Sequence, residues 1–514
     1  MFCHFICIFS QVLIARADAN MNACMKKFVK IIICVFSAFL LTPVTASGEA
    51  GVLNISVPGI PTTRDPIRMD DVVTSSVFRG NVYETLVRFG LENPVIEPVL
   101  ATDWEVEQAG KVWIFNLRRD VTFHDGTPLT ASDVIDSFGR IPGFNAEIVA
   151  EGDHRVKFIL PRKATGFVKR LTVMDFVVVR YQERDIFGTG PYTLAQWQPE
   201  QRVVLKAYHS YWGNNPDIPR VVFHCGMDAT ESVRMIRADS IDLRTPIPPS
   251  MVGDLSRASG IKISRLEGAN ISFVHINVNN PPLDSPEFRK ALNYVIRKKK
   301  IIRDVLYGYG IECRGLFPPV LGGKKEGEPV LGYDPARGSR IIQNHLQDSS
   351  RVFKVIGLPF ERPYCPEPDT AARLIGGYLR GAGMKLEYHK THSMKELLDY
   401  LARDDYDLII LGWIINSRSP ENYLAEIFGL GDTKSLFKIH WRNDSFERLV
   451  LSARKTVSIR KQWEYYSRAE EIFLEECPWI LLAHTDKFGI YRDDLEDVYF
   501  LPSGELRLNL IKKK

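Results

Sequence analysis

Residues 353–413 read FKVIGLPFERPYCPEPDTAARLIGGYLRGAGMKLEYHKTHSMKELLDYLARDDYDLIILGW, and their rhythm decides the fold class. Residues 353–357 read as a strand, and 370–380 as a helix closed by Gly381 and Gly383. Residues 385–388 make a second strand, Ser393 caps a helix reaching residue 402, and 406–413 make a third strand. Strand–helix–strand–helix–strand predicts a parallel sheet with right-handed crossovers, hence an α/β protein. Ligands of open α/β sheets bind beyond the carboxyl ends of the strands. Residues 413–422 leave such an end, which makes them a candidate site, and the ring of Trp413 can wall a pocket there.

Outward from this segment, strand signals dominate the first part of the chain. Residues 51–57 alternate as an opening strand, 82–89 read as helix-like, and 112–118 form a half-buried strand. The turn Asp125-Gly126-Thr127-Pro128 follows, and Thr130 then caps a helix whose first turn holds Asp133. The basic run Arg297-Lys298-Lys299-Lys300 reads as the solvated face of a helix.

With 514 residues, 45% hydrophobic and 25% charged, the chain can bury about three domains' worth of core, and global disorder is excluded. A net charge of +4 is too weak a field for nucleic acid. Residues 1–46 hold four basic residues against one acid, so the rest is close to neutral. From Met25 the chain has the layout of a secretory signal peptide: Lys26, Lys27 and Lys30, an apolar run over 31–41, then Val44-Thr45-Ala46. Cleavage is expected after Ala46, with residues 1–24 an upstream start or a leader extension. No cysteine follows the apolar run at a lipid-anchoring position, which favours release into a periplasm. Cys225, Cys313, Cys365 and Cys477 lie far apart, so they offer no local metal knuckle, and disulfides and free core thiols are both open.

No catalytic constellation emerges. There is no G-x-S-x-G, H-E-x-x-H, phosphate loop or dinucleotide fingerprint. His124 reads as a packed structural histidine, and HKTH at 389–392 as exposed residues at a helix start. No catalytic residue, metal or cofactor is therefore assigned.

Four blocks of sequence resemble the family-5 extracytoplasmic solute-binding proteins of ABC importers, the oligopeptide-, dipeptide- and nickel-binding type. The first joins VYETLVR (82–88), PVLATDWEV (98–106) and WIFNLRRDVTFHDGTPLTASDVIDSF (113–138). The second runs from GTGPY (188–192) through Trp197 to YWG (211–213). The third spans Asn277, PPLD (281–284) and RKALNY (289–294), and the fourth is 406–423. The resemblance implies a two-lobed, three-domain α/β binding protein with mixed sheets flanked by helices and a ligand cleft between the lobes. Its implied divisions are 47–88 with 187–272 and 483–514 for domain I, 89–186 for domain II and 273–482 for domain III. It also implies a periplasmic, monomeric receptor for a short peptide or peptide-like solute, with an inner-membrane permease and its ATPase subunits as partners.

The fourth block departs from the peptide-binding pattern. Relatives carry tryptophan, two residues, then an aspartate that pairs with the peptide's α-ammonium; here that position is Asn416, and Arg418 follows. Losing one partner of a buried ion pair costs about 3–5 kcal/mol, so either another acid such as Glu421 takes the role or the ligand lacks an ammonium there. Trp413, Asn416, Arg418 and Glu421 are the expected ligand-facing residues, with Thr74 and Ser75 on the facing lobe and His484 in the segment returning to domain I. Rival readings are a receptor for a nickel chelate, haem or a sugar-like ligand, an exported hydrolase, and a sensory or structural protein with no importer.

Overall fold

The computed structural model describes residues 51–514 apart from 70, 92–94, 325, 328–330, 347–349, 416–419, 431–439, 457 and 502–503. The expected signal segment, Asn416 and Arg418 lie outside the described residues. Among those described, no helix is long and apolar enough to cross a membrane.

One eleven-stranded mixed sheet runs through the molecule. In chain order its strands are β1 (Val52–Ser56), β2 (Tyr192–Gln198), β3 (Arg202–Ala207), β4 (Arg220–His224), β5 (Leu243–Arg244) and β6 (Ile261–Ile276). Then come β7 (Gly310–Glu312), β8 (Val352–Gly357), β9 (Lys385–Lys390), β10 (Leu408–Ile414) and β11 (Trp479–Arg492). Their spatial order is β2-β3-β4-β1-β5-β11-β6-β10-β8-β9, with β7 on β11. Strands β10, β8 and β9 are mutually parallel, and helices Pro368–Gly381 (α1) and Met394–Arg403 (α2) make the crossovers between them. The α/β segment expected at 353–413 is present, each element within two residues of its expected place. Ser393 caps α2 by accepting from the Glu396 amide, and β10 (LIILGWI) is apolar almost throughout because parallel strands are covered on both faces.

The two lobes are joined through β6 and β11. β6 has 16 residues and β11 has 14, so each reaches roughly 45–55 Å at strand rise, long enough to belong to both lobes. Ile261 to Leu266 pair with Arg492 to Lys487 on one side, and Asn270 to His275 pair with Thr485 to Trp479 on the other. The register breaks between Leu266 and Asn270. Gly268 sits in this bulge at φ +55°, where an added Cβ would lie 2.7 Å from Pro319. The buried carboxylate of Asp486 accepts from the Gly268 amide at 2.8 Å and pairs with Arg265 at 2.7 Å, fixing the break.

The cores follow the lobes. One cluster fills the β8–β10 lobe, where Phe273 stacks on Trp479 with centroids 3.8 Å apart. Separate clusters lie behind β1–β4, around the strands Ala101–Glu107, Val112–Leu117, Glu147–Ala150 and Arg155–Ile159, and beneath Ala229–Arg237. Thr130 and Asp133 form the expected cap of helix Ala131–Gly139 in reciprocal form, with Asp133 accepting from the Thr130 amide and hydroxyl at 2.8 Å.

Three expectations are corrected. Residues 82–89 are not helical; they hold the short strands Glu84–Thr85 and Val87–Phe89. Residues 81–87 are buried without interruption, so no polar face exists for an amphipathic helix. Their carbonyls are already taken, Val82 accepting from Gly190 and Asn81 from Tyr192. Lys298 is not on a solvated face: it is 2% exposed and donates to the Leu331 carbonyl at 3.0 Å. His389 lies within β9 rather than at a helix start, 2.8 Å from Glu387. The four cysteines described are free thiols, three of them buried.

Candidate functional site

The parallel strands β8 and β10 are neighbours, with β10 running on to Ile414 past the end of β8 at Gly357, and the candidate groups lie at and beyond these carboxyl ends. Trp413 is half-buried there against the lobe's core. It shares a cross-strand row with Ile271 and His484, because Ile271 pairs with both. His484 is fully buried, neither ring nitrogen makes a well-formed hydrogen bond, and burial pushes its pKa from 6.5 down to about 3. It can meet a ligand only as a neutral ring.

The loop after β8 folds back over β10 and β11. Arg362 and Cys365 exchange backbone hydrogen bonds, Thr485 donates to the Pro363 carbonyl at 3.2 Å, and the Tyr364 ring lies against Gly412. A Cβ at Gly412 would stand 2.4 Å from that ring, so the close approach requires glycine. Arg362 lies near the rings of Phe360 and Tyr364, at 5.9 and 5.8 Å from their centroids. Its Nε is buried without a hydrogen-bond partner, and no described carboxylate pairs with it. Phe360 is 48% exposed, an apolar wall facing out of the loop. Arg362 was not singled out from sequence, although it stands five residues past the first strand of the α/β segment. Applying the strand-end rule to β8 as well as β10 finds it.

Lys487 on β11 also belongs here. Its ammonium donates to the Ile415 carbonyl at 2.7 Å, immediately beyond β10. The residue is only partly covered, yet desolvation pushes its pKa from 10.5 down to about 7.

Glu421 is placed differently from Trp413. It stands in the first turn of helix Pro420–Phe428 (α3), where its carboxylate pairs with Arg454 at 2.7 Å. Arg454 ends helix Asp444–Arg454 (α4). Segment 164–170 of the other lobe rests on the same spot: Thr165 donates to the Arg454 carbonyl at 2.8 Å, and Lys169 donates to Gln462 Oε1 at 2.6 Å. Gln462 lies on helix Ile459–Glu476 (α5). Burial raises the Glu421 pKa, against the pull of Arg454, Lys169 and Arg170. Burial lowers that of Lys169, against the pull of Glu421.

Thr74 and Ser75 occupy the short helix Val72–Phe78 of the facing lobe. The Thr74 hydroxyl is buried, donating to Asp71 and accepting from the Thr62 amide at 2.9 Å, while Ser75 is half-buried. His124 packs edge-on against Tyr208 with Nε2 3.0 Å from the Gly190 carbonyl, far in sequence from these strand ends. Among the described residues, no group of three His, Cys, Asp or Glu is placed to hold a metal ion.

Known proteins share this fold. The dipeptide-binding protein of Escherichia coli strain K12 is 25% identical over 507 residues, covering 90% of this chain and 94% of that one. The structure of HbpA2 from Haemophilus parasuis superposes with a TM-score of 0.81 at 22% identity, covering 90% of this chain and all of that one. The dipeptide binding protein from Pseudoalteromonas sp. SM9913 in complex with Met-Leu gives 0.74 at 21% identity, with the same coverage. The model of the bacterial extracellular solute-binding proteins, family 5 (middle region), matches residues 95–435. The two-lobed α/β fold and this match over most of the chain identify it as a member of solute-binding protein family 5.

Proposed function

We propose that the protein is the periplasmic substrate-binding component of an ABC importer. It takes a short peptide or peptide-like solute between its lobes and hands it to an inner-membrane permease with ATPase subunits. It does so as a monomer without chemistry of its own, exported by the segment that ends at Ala46. The divisions 47–88, 187–272 and 483–514 for domain I, 89–186 for domain II and 273–482 for domain III belong to this reading. So do Trp413, Asn416 and Arg418 as ligand-facing residues.

The observation that carries the reading is Arg362 on the loop after β8, a loop whose Tyr364 packs on Gly412, the residue before Trp413 in β10. An arginine with a buried, unpartnered Nε sits on the loop after β8, near the rings of Phe360 and Tyr364 of the same loop. A planar guanidinium is suited to a carboxylate, and a ring beside it suits an apolar side chain. Together they match the two kinds of group a short peptide carries.

Calorimetric titration of tripeptides with free and amidated carboxyl ends, against the protein and Arg362→Met, tests this. A lost charge-assisted hydrogen bond is worth about 1.5–3 kcal/mol, roughly ten- to hundredfold in Kd. Free-acid peptides should lose that factor in the variant and amidated ones should not. Equal losses for both sets, or no peptide binding at all, would reject the peptide reading.

A further inference from the structure

We propose that Gly166 is a specificity-determining residue: its bare backbone is the stop that sets how closely the two lobes approach, and so the length of the solute that fits between them. The inference rests on the binding-protein reading above and deepens it.

Gly166 has a backbone conformation open to any residue. It precedes the short helix Phe167–Arg170 at φ −85° and ψ 4°, so the backbone itself does not demand glycine. What excludes a side chain is the other lobe. A Cβ would stand 3.0 Å from Glu421 Oε2 and 3.5 Å from the Arg454 carbonyl oxygen. The lobes are therefore already in contact at this backbone, and glycine is the residue that permits the approach.

The surface that Gly166 meets is fixed in place. Glu421 is held by Arg454 Nε at 2.7 Å, so its carboxylate cannot swing aside without breaking that pair. The Arg454 carbonyl accepts from Thr165 at 2.8 Å, one residue before the glycine. Three residues after the glycine, Lys169 donates to Gln462 Oε1 at 2.6 Å. Gln462 is buried and donates in turn to the Thr456 carbonyl. Two polar ties thus flank one steric contact. The hinge lies elsewhere, in the β6–β11 ribbon with its bulge at Gly268. Lobes that turn about such a ribbon close until atoms meet, and here they meet at Gly166. Packed protein yields little to added volume, so a side chain at 166 widens the gap between the lobes. A wider gap admits a longer solute and loosens the fit of a short one.

Free-acid alanine peptides of two to five residues test this by calorimetric titration against the protein, Gly166→Ala, Gly166→Leu and Gly139→Leu. Gly139 is the control, an exposed glycine of the same lobe with nothing within 4 Å of an added Cβ. The affinity for pentaalanine relative to dialanine should rise roughly fivefold or more in Gly166→Leu, less in Gly166→Ala and not in Gly139→Leu. A ratio unaltered in Gly166→Leu, or raised as much in Gly139→Leu, overturns the inference. A second reading needs no ligand. Spin labels on Val149→Cys and Leu398→Cys, exposed positions in opposite lobes, report the distance between the lobes in a Cys225→Ser background. That distance should change in Gly166→Leu and not in Gly139→Leu, and an unaltered distance in Gly166→Leu overturns the stop. Should the protein bind none of the peptides, the peptide reading fails, and the label distance alone decides for or against the stop.

Discussion

His484 shows what burial does to a single titratable group. Its ring is enclosed, and its pKa falls from 6.5 to about 3 because desolvation outweighs the upward pull of nearby backbone groups. Below pH 6.5 the unfolded chain takes up a proton that the folded protein refuses until about pH 3. The stability contributed by neutral His484 is therefore complete above pH 6.5 and drains away as the pH falls toward 3. Buried carboxylates such as Glu84 and Glu470, whose pKa values are raised, act in the opposite direction over part of that range. Only a difference against a variant isolates the histidine. The stability gap between the protein and His484→Gln should change in favour of the variant by about 1.4 kcal/mol per pH unit between pH 6 and 4. Urea unfolding at several pH values measures it, and a gap independent of pH would mean that the ring is not kept neutral.

Glu84 acts at the scale of elements, because its carboxylate ties together segments that the sequence holds far apart. It accepts from Tyr211 at 2.9 Å, from Trp212 Nε1 at 2.9 Å and from Thr189 at 3.0 Å. Three of the quoted motif fragments, VYETLVR, GTGPY and YWG, meet at this one side chain. Gly188 is part of the same junction: a Cβ there would lie 1.9 Å from the Val82 carbonyl oxygen. Replacing Glu84 by Ala strands the indole and hydroxyl donors in the core, at a cost of about 3 kcal/mol or more. Glu84→Gln should cost less than about 1 kcal/mol, because the Tyr211 hydroxyl can turn and accept from the new amide. Chemical denaturation should rank Ala far below Gln, and the reverse order would refute the network. The junction also explains what the sequence made legible. Elements that follow a local period, such as β8, α1, β9, α2 and β10, were readable within two residues. Residues 82–89 were not, because tertiary hydrogen bonds from Gly190 and Tyr192 overrode the local pattern. Lys298 was misread for the same reason, since the carbonyl that buries it belongs to Leu331, 33 residues away. Among the candidate residues, the strand-end rule leads to Trp413. The same rule applied to β8 leads on to Arg362, whereas Lys487 needed the structure, because nothing local places β11 across from Ile415.

At the scale of the whole molecule, the question is what holds the lobes together. Apart from the β6–β11 ribbon, segment 164–170 touches α4 and α5 through two side-chain hydrogen bonds, Thr165 to Arg454 and Lys169 to Gln462. The second is the stronger candidate, since its donor is charged and Gln462 is only 5% exposed. The Lys169 ammonium also lies in the field of Glu421, an acid of the facing lobe. Opening the lobes would return Lys169 to water and part it from both. A ligand that binds the closed form of a protein with open and closed states pays for any shortfall in that form's population. Lys169→Met keeps the aliphatic stem but removes the charge and the bond to Gln462. The loss is about 1 kcal/mol after solvent exchange, roughly a fivefold shift toward the open form. Ligand-free Lys169→Met should therefore show a larger radius of gyration by solution scattering. Its Kd for a free-acid tripeptide should rise by about the same factor, mainly through faster dissociation. The urea midpoint should stay within error, because no residue of the variant's core changes. If scattering and Kd are both unaltered, the Lys169 contact does not govern closure, and the lobes are held by the hinge ribbon and the ligand alone.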